Sequence, residues 1–174
     1  MAEDDVRGLV DERRRLLHEL EVERNQLMRN IETCRIRDID RPFVGEWSLK
    51  DIVGHIASWE AEFVTGLRDH AEGRPSASAG MDDAAVDKWN EDHVQRMRPI
   101  NFWNLLEQLR AGRERLLQGL AGVSDDDLTT AGTRPNRILA AVIEHDREHW
   151  HEIAACLAGV RAGRVAGSAT ARPA

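Results

Sequence analysis

Apolar residues in this chain recur with a helical period over long stretches, which restricts it to helices packed on helices. Leu9, Leu16, Leu20, Leu27 and Ile31 mark one side of a first helix from about Asp4 to Cys34. The segment "IRDIDRPFVGEW" interrupts the pattern with Pro42 and Gly45 and reads as a loop. Ser48, with Asp51 three residues on, then resembles a capping box opening a second helix that runs to about His70. No segment alternates with period two for long enough to suggest a strand.

The second half repeats the theme. "EGRPSASAG" is a flexible connection, and "MDDAAVDKWNEDHVQRM" is a short helix that stops before Pro99. Asn101 can cap a third long helix, "FWNLLEQLRAGRERLLQGL". The polar link "SDDDLTTAGTRPN" leads to a fourth, Ile138 to about Ala158. Four long helices with one short insertion point to an all-α four-helix bundle over residues 1–160. The small, polar stretch 161–174 reads as a disordered tail.

Charge limits the partners. A formal net charge of −7 argues against a nucleic-acid backbone. No run approaches the roughly 20 apolar residues of a membrane span, and "MAEDDVRG" is no signal peptide. The expectation is a cytoplasmic protein that binds neither nucleic acid nor membrane. Cys34 and Cys156 form no CxxC and read as reduced, buried thiols.

The chemistry-bearing residues are histidines. In the second helix the core stripe is Leu49, Ile52, Ile56, Phe63 and Leu67, with His55 at its edge. In the fourth helix the stripe is Leu139, Val142, Trp150, Ile153 and Leu157, and His145 and His149 sit at its edge one turn apart. Histidines at i and i+4 have parallel side chains about 6 Å apart and can share an ion. A third imidazole from a neighbouring helix would complete a site with open positions for water or substrate. The spacing alone is also met by ordinary packed histidines. His18, His70 and His93 read as surface or hydrogen-bonded residues, and His151 projects away from the pair.

Other metal and nucleophile patterns are missing. A ferritin-like centre needs Glu-x-x-His on two helices, and only Glu148 with His151 has that spacing. HExxH, GxSxG, P-loop and dinucleotide fingerprints are absent. Asp146 projects into an apolar stripe, where an unpaired carboxylate is costly, so it should pair with an arginine, cap a buried donor or bond a ligand histidine. Glu62 is a candidate general base, a partner that bonds a ligand histidine, or a solvated glutamate. Trp59 fits either the core or a pocket wall, and Asp51 fits the helix cap.

Two segments carry a resemblance to a known family. "GEWSLKDIVGHIASWE" resembles the helix 2 signature of the DinB/YfiT-like superfamily, and "EHDREHWHEI" resembles its helix 4 signature. Trp89-Asn90 ahead of "LLEQLRAGRERLL" is similar to the DinB-type and ClbS/DfsB-type branches. The resemblance covers roughly residues 6–158. Its most specific part is W-S-x-x-D-x-x-x-H followed about 90 residues later by H-x-x-x-H.

That resemblance implies an up-down-down-up four-helix bundle, usually a homodimer, holding one divalent metal (Zn, Ni, Mn or Fe). Carried over residue by residue, the ligands are His55, His145 and His149, and Asn90 and Trp59 become substrate-binding candidates. Members of the superfamily include S-transferases that use mycothiol, bacillithiol or glutathione, a maleylpyruvate isomerase and cyclopropane hydrolases. The expected function is therefore metal-dependent transfer of a low-molecular-weight thiol cosubstrate to an electrophilic small molecule, a detoxification. Glu62 and Asp146 are the catalytic candidates. Hydrolysis of the ClbS kind and a non-catalytic small-molecule-binding stress-response dimer are the alternatives. The chain departs from its relatives at "GTRPNRIL", where they often have a tryptophan-containing turn.

Overall fold

Hydrogen-bonding side chains set where the helices begin. The computed structural model describes residues 3–169, with side chains described over 5–159. It contains α1 (Glu3–Thr33), α2 (Leu49–Ala71), α3 (Asp83–Met97), α4 (Phe102–Ala121), α5 (Asp125–Thr129) and α6 (Arg134–Ala169). Ser48 Oγ accepts from the Asp51 N–H at 3.1 Å, and the Asp51 carboxylate accepts from the Ser48 N–H at 3.0 Å, the reciprocal box that starts α2. Asp51 also takes Arg98 Nε at 3.1 Å. Burial raises its pKa, but the bonds from Arg98 and Ser48 outweigh that and hold it below the usual carboxylate value. Asp82 and Asn101 cap α3 and α4 in the same way, accepting from the Ala85 and Asn104 N–H groups.

Three expectations need correction. The loop before α2 contains a small antiparallel hairpin, Pro42–Val44 (β1) against Trp47–Ser48 (β2). Strands this short have no room for a period-two pattern. Gly45, at φ +58°, takes the first central position of its two-residue turn, where positive φ favours glycine. The link after α4 contains α5, started by Ser124 Oγ accepting from the Asp127 N–H and anchored by Leu128, which is fully buried. The last helix starts at Arg134 rather than Ile138, because Thr133 Oγ1 accepts from the Asn136 N–H and Pro135 sits in the first turn, where proline is tolerated. The backbone of α6 runs to Ala169. The tail expected over 161–174 lies outside the residues whose side chains are described.

The fold is thus all-α with one minor hairpin. α2 packs most extensively on α4, α1 packs on α6, and α2 also meets α6. Gly112 and Gly119 of α4 permit the first of these contacts. A Cβ at either would come within 3.0 Å of Glu60 Cγ and of Leu67 Cδ1, respectively. Each glycine thus leaves room for a larger side chain seven residues apart on the facing helix.

The core is in two parts. One cluster gathers Leu27, Ile52, Ile56, Leu105, Leu109 and Ile153; the other gathers Leu20, Leu67, Leu116, Leu128, Leu139 and Val142. Between them lies a charged layer to which each long helix contributes one residue: Arg24, Glu60, Arg113 and Asp146. All four are at least nine-tenths buried. Arg24 Nε donates to Asp146 Oδ2 at 3.0 Å and its Nη2 to Glu60 Oε2 at 2.5 Å. Arg113 Nη2 donates to Asp146 Oδ2 at 2.8 Å, and its Nε lies 2.7 Å from Glu60 Oε1. Two cations and two anions leave the layer formally neutral, the condition under which buried charges are tolerated.

Candidate metal centre

The charged layer abuts a cluster of three imidazoles. His55 comes from α2, and His145 and His149 come from successive turns of α6, flanking Asp146. Their edge positions direct the rings toward each other instead of into the apolar clusters. His145 Nε2 lies 2.9 Å from His55 Nε2 and 3.1 Å from His149 Nε2. All three ligand atoms lie within 4.8 Å of one another.

Hydrogen bonding among the rings cannot account for this convergence. An imidazole nitrogen carries either one proton or one lone pair. His145 Nε2 can therefore complete one of its two contacts but not both. His149 Nδ1 lies 2.8 Å from Glu152 Oε2 and donates its proton there, which leaves the Nε2 lone pair aimed at the cluster. Three nitrogens about 2.0–2.1 Å from one ion, at tetrahedral to octahedral angles, stand roughly 2.9–3.4 Å apart. The two separations from His145 fall in that range, and the donor set can hold a single divalent cation.

Burial prepares His55 and His145 in the neutral form that a metal requires. His55 is 4 % exposed and His149 7 %. Burial, with the neighbouring His149 and His93, pushes the pKa of His55 down to about 3. Burial also pushes His145 well below the ordinary imidazole value, with His149 and His55 acting next and Arg24 and Arg113 behind them. Little proton competition at these two ligands then opposes a cation at neutral pH.

Beside the histidines opens a cleft of about 580 Å³, lined by Trp47, Trp59, Phe63, Asn90 and the carboxylates of Glu144, Glu148 and Glu152. The Trp47 ring lies 4.9 Å from that of His55. Trp59 Nε1 donates to Asn90 Oδ1 at 2.8 Å, tying α2 to α3, and its ring lies 4.2 Å from Trp89, which stacks on His93 at 3.6 Å. Trp59 forms part of one wall, with Trp89 and His93 stacked behind it. His151 is exposed and His18 faces solvent, while His93 Nδ1 contacts the Trp89 carbonyl at 2.8 Å.

The sequence candidates therefore fall into three places. His55, His145 and His149 meet, and Trp59 and Asn90 line their cleft. Glu62 lines a separate neighbouring cavity. Asp146 lies behind the imidazoles, 1 % exposed, bonded to two arginines and to no histidine among the described residues. Sequence reasoning overlooked Trp47 and the three cleft glutamates. The spacing His149-x-x-Glu152 was an available sign for one of them, since i and i+3 share a helix face. It also overlooked Arg24, Glu60 and Arg113, each placed four residues after a buried apolar side chain (Leu20, Ile56 and Leu109).

Comparison with known proteins identifies the family and a similar fold. The family model of the DinB superfamily matches residues 19–153, a span holding all three histidines and the whole charged layer. A crystal structure of an uncharacterised protein from Escherichia coli UTI89 is similar at a TM-score of 0.75 and 15 % identity, covering 86 % of this chain and 94 % of that one. A likeness at that identity speaks to the fold alone. No curated protein matches the chain.

Proposed function

The chain belongs to the DinB superfamily, and from that premise we propose a divalent-metal-dependent enzyme that transfers a low-molecular-weight thiol to an electrophilic small molecule. The observation that carries it is the convergence of three imidazole nitrogens beside a cleft large enough for a small molecule. We read the four long helices as an up-down-down-up four-helix bundle, supported by the pairings of α1 with α6 and of α2 with α4 and α6. A homodimer belongs to the same reading, supported by exposed Val10 on α1 and exposed Trp103 and Leu117 on α4. Sedimentation tests it.

His55, His145 and His149 would hold the ion, with Glu152 orienting His149. A divalent cation there supplies Lewis acidity, which favours the thiolate over the thiol. The chain's own residues do the rest. Trp47, Trp59 and Phe63 exclude water from one side of the cleft and offer apolar surface to the electrophile. Glu148 lines the same cleft and has no partner among the described residues, so it is placed to accept the thiol proton. Sulfur then forms its bond to the electrophilic carbon, and the leaving group departs with the electron pair of the bond that breaks.

Cobalt-substituted protein tests this reading. Adding a low-molecular-weight thiol should produce a sulfur-to-cobalt absorption band, and turnover of an activated aryl halide should then depend on that thiol. A cobalt spectrum indifferent to thiols would exclude thiol transfer and turn attention to hydrolysis.

A further inference from the structure

A second cavity, of about 240 Å³, meets the metal cleft: Trp59, Phe63 and Ala141 line both. It is also lined by Glu62, Arg134 and Arg137. Glu62 Oε1 is buried and has no hydrogen-bond partner. The Arg137 guanidinium has no hydrogen-bond or ion-pair partner among the described residues. Arg134 donates one N–H to the Arg74 carbonyl at 2.6 Å, and a guanidinium has five. The buried acceptor lacks a donor, which is costly, and the exposed Arg137 cation is free to take an anion; both face one space.

We propose that this cavity is a subsite for the far end of an elongated substrate whose other end reaches the histidines. Its ligand group is a carboxylate with an adjacent N–H donor, as at an amino-acid-type terminus. Arg137 and Arg134 take the carboxylate, and Glu62 takes the donor. The inference rests on the proposed metal centre.

Geometry sets the length of the molecule. The Nε2 atoms of His55 and His145 meet, and a Cβ on Gly66 would lie 3.0 Å from Ile138 Cδ1, so α2 and α6 run antiparallel along this wall. Glu62 is seven residues beyond His55, and Arg137 is eight before His145. At about 1.5 Å rise per residue, both charges lie roughly 10–12 Å from the imidazoles, in the same direction along the helices. Charge sets the orientation. Even with a divalent ion bound, Glu144, Glu148 and Glu152 leave the metal cleft net negative, whereas Arg134 and Arg137 outweigh Glu62 in the far cavity, so a carboxylate favours the arginine end.

The test uses the zinc-loaded full chain and a series of ω-carboxyalkyl hydroxamates of increasing length, titrated calorimetrically. Acetohydroxamate, which carries only the metal-binding group, sets the baseline. At the matching length the carboxylate should bind about ten-fold tighter than its methyl ester. Arg137→Gln should remove that advantage while leaving acetohydroxamate binding and zinc content unchanged. An α-amino group on the matched compound should tighten binding further, and Glu62→Gln should cancel that gain. If the carboxylate gives no advantage at any length, or keeps it in Arg137→Gln, the subsite is refuted while the metal centre stands. If neither zinc nor any other divalent metal offered is retained, the proposed function and this inference fall together.

Discussion

Replacing Asp146 with asparagine tests the charged layer without making a cavity, because the two side chains have nearly the same shape. Asp146 is 1 % exposed and receives Arg24 Nε at 3.0 Å and Arg113 Nη2 at 2.8 Å, with Arg24 Nη2 a further 2.9 Å from Oδ1. The substitution turns a neutral layer into one of net charge +1 and sets an amide N–H₂ against guanidinium N–H groups. Breaking a buried pair by removing one partner costs about 3–5 kcal/mol. For a chain of this size that is a fall in melting temperature of roughly 6–20 °C, at about 2–4 °C per kcal/mol. Thermal and urea denaturation followed by circular dichroism measure it. Asp87→Asn, an equal charge change on the exposed face of α3, should stay within about 0.5 kcal/mol of wild type. Adding Arg24→Leu to Asp146→Asn leaves Arg113 with Glu60, restores neutrality and should recover part of the loss. Asp146→Asn should also weaken cation binding, because Arg24 and Arg113 already act on His145. A stability within about 1 kcal/mol of wild type would mean that the charge balance of the buried layer does not hold the helices together.

Three further outcomes follow from the same geometry. His55, with its pKa depressed from 6.5 to about 3, refuses a proton that the unfolded chain takes up. The metal-free protein should therefore be fully stable above about pH 6.5 and lose about 1.4 kcal/mol per pH unit for each such histidine as pH falls toward 3. His145 adds to the slope, and urea midpoints after chelation that stay flat between neutral pH and the acid end contradict it. Glu152→Gln keeps the size but loses the carboxylate that holds His149 Nδ1–H, so metal affinity should drop about 10–100-fold in a chelator competition; an unchanged affinity means Glu152 does not orient the ligand. Gly112→Ala places a Cβ 3.0 Å from Glu60 Cγ, which two arginines hold in place, and should cost about 1–3 kcal/mol in urea unfolding. A neutral result would show that α2 and α4 separate freely.

What could be read in the sequence was local. Helix starts at Ser48 and Asn101 are written in the cap residues themselves, and the His145–His149 spacing follows from one helix alone. The buried carboxylate of Asp146 was legible because it breaks an apolar stripe. Its partners were not, since Arg24 and Arg113 reach it from helices far away in the chain and arginines at stripe edges usually face solvent. The hairpin and α5 are each shorter than the periods that reveal strands and helices. The three cleft glutamates looked like ordinary solvated residues until α2 and α6 came together around the imidazoles.

Metal analysis decides whether the three histidines hold an ion, on protein purified without an affinity tag, with wild type and His149→Ala side by side and their helix content matched by circular dichroism. Wild type should carry about one equivalent of a divalent metal, and the variant should lose it. A wild type that retains none after reconstitution with any divalent metal offered, or a variant that keeps its full equivalent, would contradict this assignment.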